Sequence, residues 1–247
     1  MTRCGDWLPY KSVFPIGIIN QECPEWPAFT GCGFFVRFPP YDHIFFVTAK
    51  HCVMGNDEKL MGGIAILLHG DFGNYKTIHI TNYFLGKTFE SEKFYEDILI
   101  SNIDVADESL RSYIEAVSLD VANQEFIDCM FSSYDKAAVL VHALGFPDCL
   151  RSEYDPNAIE FTSASVSGKV NKLHYKGEGI EVQWFNDNYY KKLSGFSGGA
   201  AFFEIKVSQF KSAPVLCGVF ILETRLVSMR VVADLIGEWI LNYGDVE

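Results

Sequence analysis

Gly33-Phe34-Phe35-Val36-Arg37-Phe38, then Pro39-Pro40-Tyr41-Asp42, then His43-Ile44-Phe45-Phe46-Val47-Thr48 is the stretch on which the fold turns. Aromatic and β-branched residues fill both flanks, and the insert between them has turn chemistry. The segment therefore reads as two strands joined by a reversal. The same punctuation recurs along the chain, with strand-like runs at 63–68, 76–80, 97–103, 137–144, 159–166, 180–185, 200–205 and 215–222. Short strands at this frequency, broken by Gly and Asn, imply an all-β barrel or sandwich.

Two segments depart from that pattern. Residues 104–136 are acidic, contain Ser and Asn and alternate weakly, which suits a crossing between two halves with room for a helical turn. Near the end, Val231, Val232, Leu235, Ile236, Trp239 and Ile240 recur at three- and four-residue steps. That spacing predicts an amphipathic helix over 228–241. The expected division is a first half over 1–118 and a second over 119–247.

Composition narrows the function classes. With 247 residues, 49% hydrophobic and 15% aromatic, the chain has ample material for a core and is unlike a disordered sequence. A net charge of −12 argues against general nucleic-acid binding, which needs clustered Lys and Arg. The longest apolar runs, 64–68 and 215–222, are far too short to span a bilayer, so no membrane role is expected. Residues 1–14 lack the apolar run of a secretory signal, and a cytoplasmic location is the expectation. Cys4, Cys23, Cys32, Cys52, Cys129, Cys149 and Cys217 are odd in number and include no C-x-x-C pair. They fit reduced, buried small hydrophobes better than a disulfide framework or a zinc site.

Three short segments carry the chemistry: Thr48-Ala49-Lys50-His51-Cys52, Glu96-Asp97-Ile98-Leu99-Ile100 and Gly195-Phe196-Ser197-Gly198-Gly199. They offer an imidazole at a strand's rim, a carboxylate at the entrance to an apolar strand and a hydroxyl nested in glycines. A serine hydroxyl becomes a nucleophile when an imidazole takes its proton and a carboxylate orients that imidazole. His51 is the candidate base, Asp97 the candidate orienter and Ser197 the candidate nucleophile. The glycines suit a tight turn with positive φ, in which the Gly195 and Ser197 amides could hold a developing oxyanion. No metal or cofactor is implied. The other histidines lack such neighbours.

These motifs resemble the chymotrypsin/trypsin-like serine peptidases, particularly compact bacterial trypsin-like domains. Thr48–Cys52 is similar to the family's T-A-A-H-C, Asp97-Ile98-Leu99 to its D-I-A-L, and Gly195–Gly199 to its G-D/N-S-G-G. Weaker echoes are Thr30-Gly31-Cys32-Gly33-Phe34-Phe35-Val36 and Ala143-Leu144-Gly145-Phe146-Pro147, so the likeness spans about residues 12 to 240. It implies two antiparallel six-stranded β-barrels closed by a C-terminal helix, with His51 and Asp97 in the first barrel and Ser197 in the second. The activity implied is endopeptidase hydrolysis of protein or peptide substrates, subject to restraint by a regulatory protein partner. A silent protein-binding module and an esterase using the same triad are the alternatives.

Departures from the family pattern bear on both regulation and specificity. Secreted members have an Asp just before the nucleophile that pairs with a new amino terminus; Phe196 stands there. Cys32 and Cys52 match a family disulfide position, a bridge that a reducing cytosol would leave open. Lys191 occupies the position that often floors the primary specificity pocket. Its ammonium would favour an acidic substrate side chain, unless it snorkels to solvent from a differently shaped loop. Phe220-Ile221-Leu222-Glu223 is the strand expected to pair with substrate backbone, making Ile221, Leu222 and Glu223 substrate-binding candidates.

Overall fold

The first half runs β1 (Val13–Ile18), β2 (Ala28–Arg37), β3 (Ile44–Ala49), β4 (Ile64–His69), β5 (Tyr75–His79), β6 (Phe84–Leu85), β7 (Ile98–Asn102), α1 (Glu108–Val117) and β8 (Leu119–Asp120). The second runs β9 (Leu140–Gly145), β10 (Ala164–Leu173), β11 (Gly179–Trp184), β12 (Ala200–Ser208), β13 (Lys211–Leu222), β14 (Arg225–Ser228) and α2 (Met229–Tyr243). A computed structural model describes residues 8–22, 27–69, 75–86, 96–121, 139–147, 162–174, 178–185, 193–208 and 211–244.

The β2–β3 hairpin forms as its sequence requires, with Phe34 opposite Val47 and Phe35 opposite Phe46. Phe34, Phe35, Phe45 and Phe46 are all fully buried. Removing each such ring from water favours folding by roughly 1.5–3 kcal/mol. Edge-on contacts join Phe14 to Phe35 at 5.0 Å and Phe35 to Phe46 at 5.1 Å, a geometry the ring quadrupoles favour. β7 pairs antiparallel with β3, and its last pairs are Thr48 with Leu99 and Ala49 with Ile98. That register sets the carboxyl end of β3 beside the amino end of β7.

The second half closes as a six-stranded barrel in the order β10-β11-β14-β13-β12-β9. The first half differs from the expected six-stranded barrel. It is an eight-stranded sheet, β5-β4-β1-β2-β3-β7-β6 with β8 added parallel to β2, and it is not closed among the described residues. Leu119 and Asp120, assigned to the second half by the expected boundary, thus belong to the first sheet. The crossing segment also holds more helix than a turn: α1 runs ten residues, started by Asp107, whose carboxylate accepts from the amides of Ser109 and Leu110.

α2 forms where the apolar spacing predicts. It follows the second barrel in sequence, yet its Val232, Leu235, Ile236, Trp239 and Ile240 join the core cluster of the first sheet. Trp239 meets Phe45 edge-on at 5.1 Å.

Candidate active site

His51 and Asp97 meet because neighbouring strand ends bring them together. Past Ala49 the chain makes a single 3₁₀ turn, Lys50–Cys52. The Lys50 amide donates to the Asp97 carbonyl at 3.0 Å, continuing the β3–β7 ladder by one step. The His51 amide then donates to Asp97 Oδ1 at 2.9 Å, and His51 Nδ1 donates to Asp97 Oδ2 at 2.6 Å. Both carboxylate oxygens are engaged by one residue, which fixes the ring and its tautomer and leaves Nε2 as the other nitrogen. The imidazole side chain is 44% exposed while the Asp97 side chain is 23% exposed, so the base is open to a ligand and its orienter is shielded. Hydrogen bonding to Asp97 first, and to Cys52 second, pushes the His51 pKa up to about 10 against the opposing pull of burial.

Ser197 sits in a loop built by its glycines. Gly195 has φ +91° and Gly198 φ +84°, a region that side chains rarely adopt. A Cβ on Gly198 would meet the Cys32 carbonyl oxygen, and one on Gly195 would meet that of Phe146. The obstruction at Gly195 therefore comes from the segment just past β9, a second reason for glycine beside its positive φ. The loop amides divide into two sets. Phe196 donates to the Leu193 carbonyl at 3.3 Å, Gly198 to Phe220 at 2.7 Å and Gly199 to Phe196 at 2.9 Å. The amides of Gly195 and Ser197 donate to no described residue. Those two are the pair an oxyanion hole needs.

The hydroxyl is not yet on the base. Ser197 Oγ donates to the Ile221 carbonyl at 3.1 Å, and no hydrogen bond joins it to His51. This acceptor is a backbone oxygen, so no side-chain signal in the sequence could have pointed to it. The two walls are nonetheless adjacent, since Cys52, next to His51, places its Sγ 3.4 Å from the Ser197 carbonyl oxygen.

Phe196 is fully buried and packs against Phe220, ring centroids 5.9 Å apart, in the second barrel's core. An apolar anchor thus stands where an ion pair would otherwise hold the loop. Ile221 lies at a bulge between the Phe220–Leu226 and Leu222–Arg225 pairs. Leu222 is 58% exposed, and Glu223 turns the chain with φ +30° while its carbonyl accepts from Trp184 Nε1 at 2.5 Å. Lys191 lies outside the described residues. Cys32 and Cys52 are free thiols, both buried.

Two cavities, of about 260 and about 580 Å³, share Asp42, Ile44 and Arg111 and lie at the opposite ends of β3 and β7 from His51 and Asp97. The His51 ring lies outside both cavities and is open to solvent. Among the described residues, no group of three or more His, Cys, Asp or Glu is arranged to hold a metal ion, and no helix is long and apolar enough to cross a membrane.

Comparison with solved structures gives human heparin binding protein at TM-score 0.57 and 14% identity, covering 98% of this chain and 95% of that one. An atomic-resolution structure of HBP gives TM-score 0.55 at 13% identity, covering 98% and 94%. The fold is chymotrypsin-like. At this identity the likeness concerns architecture alone. No protein-family model and no curated protein matches the chain, so the narrower resemblance to bacterial peptidase domains rests on the quoted motifs.

Proposed function

We propose that this chain is a serine endopeptidase that cleaves protein or peptide substrates through an acyl-enzyme, acts in the cytoplasm and is restrained by a regulatory partner. The observation that carries the reading is the His51–Asp97 pair, with Nδ1 donating at 2.6 Å and the ring open to the cleft. The two uncommitted amides of the Ser197 loop support it. In the proposed reaction, Ser197 Oγ turns from the Ile221 carbonyl to His51 Nε2. It attacks the peptide carbonyl as the imidazole takes its proton. The amides of Gly195 and Ser197 then hold the oxyanion, and His51 passes the proton to the leaving amine. Water repeats the sequence to release the acyl group. Turning the hydroxyl gives up one ordinary hydrogen bond of about 0.5–1.5 kcal/mol, small against the barrier reduction such sites provide.

A second reading has its own support. With its pKa near 10, His51 is protonated at neutral pH, and the hydroxyl is hydrogen-bonded elsewhere. Both features suit a cleft that binds protein segments without cutting them. Heparin binding, the property named for the human protein, does not suit a chain of net charge −12. Labelling with a fluorophosphonate separates the readings. Endopeptidase chemistry expects an adduct that Ser197→Ala abolishes and Ser194→Ala retains; absence of any adduct from pH 6 to 10 favours the binding module.

A further inference from the structure

One sulfur lies at the centre of the nucleophile loop. Cys32 Sγ is 3.4 Å from the Gly195 carbonyl oxygen, 3.5 Å from that of Phe196 and 3.3 Å from that of Ser197. Cys52 Sγ reaches the same Ser197 oxygen at 3.4 Å. The loop therefore wraps three successive carbonyls around a thiol, and each also accepts a backbone amide, from Phe146 at 3.0 Å, Gly199 at 2.9 Å and Cys32 at 2.9 Å respectively, so the sulfur adds to a backbone framework. Because each peptide is planar, a carbonyl turned toward the sulfur turns the following amide the other way. Carbonyls of Gly195 and Phe196 pointing inward thus orient the amides of Phe196 and Ser197.

Both thiols are fully buried and their own positions are firm. The Cys32 carbonyl accepts from Thr48 Oγ1 at 2.8 Å, and the Cys32 amide donates to the Ser197 carbonyl at 2.9 Å. A thiolate here would face three partially negative oxygens, so the S–H form is the one that fits.

Resting on the endopeptidase reading, we infer that the Cys32 thiol is a positioning residue, whose S–H group reinforces the inward turn of the Phe196 carbonyl and so keeps the Ser197 amide facing the cleft, while the Cys52 thiol supports the neighbouring Ser197 carbonyl. Thiols are weak donors, and each can satisfy one oxygen fully at a time. The expected effect is therefore a modest rate change, about five- to tenfold.

Raman spectroscopy of the S–H stretch and fluorophosphonate labelling together test this. In the full chain, the bands that disappear in Cys32→Ala and Cys52→Ala are expected at the lowered frequency of hydrogen-bonded thiols. Cys32→Ala is expected to slow the maximal labelling rate about five- to tenfold with little change in the concentration for half-maximal rate. Cys32→Ser, which keeps a donor, returns it to within about twofold of wild type, while Cys217→Ala, removing a buried thiol elsewhere, leaves it unchanged. Bands at the free-thiol frequency overturn the inference, as does wild-type labelling by Cys32→Ala. If wild-type protein takes no label, the endopeptidase reading falls. The thiol contacts are then judged by the Raman bands and by amide exchange at Ser197, which accelerates in Cys32→Ala if the thiols hold the loop and stays unchanged if they do not.

Discussion

Two rows that set a histidine against a carboxylate, one at His51 and one at His142, behave oppositely. At the rim, His51 bonds Asp97 through Nδ1 and leaves the other nitrogen toward an open cleft. In the wall of the second barrel, His142 Nδ1 bonds Ser167 Oγ at 2.8 Å and Nε2 bonds Glu204 Oε2 at 3.3 Å, while Ser212 Oγ donates to the other Glu204 oxygen at 2.5 Å. His142 is 5% exposed. Its pKa is lowered, burial outweighing the favourable pull of Glu204, whereas that of His51 is raised. A serine, an imidazole and a carboxylate in hydrogen-bonding order thus stand in the second barrel with the ring enclosed, whereas the His51 ring is open. What separates the rows is access to a ring nitrogen and the presence of unoccupied amides beside the hydroxyl.

Several measurements can break or sharpen that contrast. Ser197→Ala and His51→Ala should each lower turnover by on the order of 10⁶, while Ser167→Ala leaves it within about twofold; equal loss at Ser167 would erase the distinction. Asp97→Asn should cost about 10⁴. It also removes the principal cause of the raised His51 pKa, so the rising limb of the pH–rate profile should move from near 10 toward the ordinary 6.5. An unmoved limb would mean that Asp97 does not control the base.

Stability should respond at the anchors. Phe196→Ala empties a fully buried site and is expected to cost about 3–5 kcal/mol by urea unfolding. Phe196→Asp should cost at least as much, because a carboxylate would be buried among apolar groups. His142→Ala leaves Ser167 and Glu204 short of a partner and should cost about 1–3 kcal/mol.

The pH slopes of stability extend the contrast. His51 binds its proton more tightly folded than unfolded, so its contribution is complete below about pH 6.5 and is lost as pH rises toward 10. His142 has the reverse linkage, and its contribution declines as pH falls below 6.5. Subtracting the profiles of His51→Gln and His142→Gln from wild type should give slopes of opposite sign. Slopes of the same sign would contradict the contrast between the rows.

The sequence exposed those parts of the site that depend on side-chain identity and strand ends. His51 and Asp97 were legible because each adjoins a dense apolar run, and paired runs end together. The glycines around Ser197 signalled positive φ, and Gly195 and Gly198 have it. The later part of β10 was hidden. In Ser167-Gly168-Lys169-Val170-Asn171-Lys172, polar residues outnumber the apolar ones, and the alternation emerges only when Val166, Gly168 and Val170 are seen facing inward. α1 was obscured by its acidic, Ser-containing composition, because the helix buries only Ile114 fully. The Ile221 carbonyl and the inward carbonyls of the Ser197 loop were beyond sequence reading, since every residue has such an oxygen and only the fold aims it.

The final helix carries one more implication. Because α2 leaves the Ser197-bearing barrel and buries Trp239 and Ile240 against the sheet that bears His51, it works as a clasp across the molecule. The opposing sides of the cleft are therefore tied by a helix that follows both of them in sequence. The seam between imidazole and alcohol is thus held from within, where the Cys32 amide bonds the Ser197 carbonyl, and from a distance by the helix, whose removal would loosen the cleft.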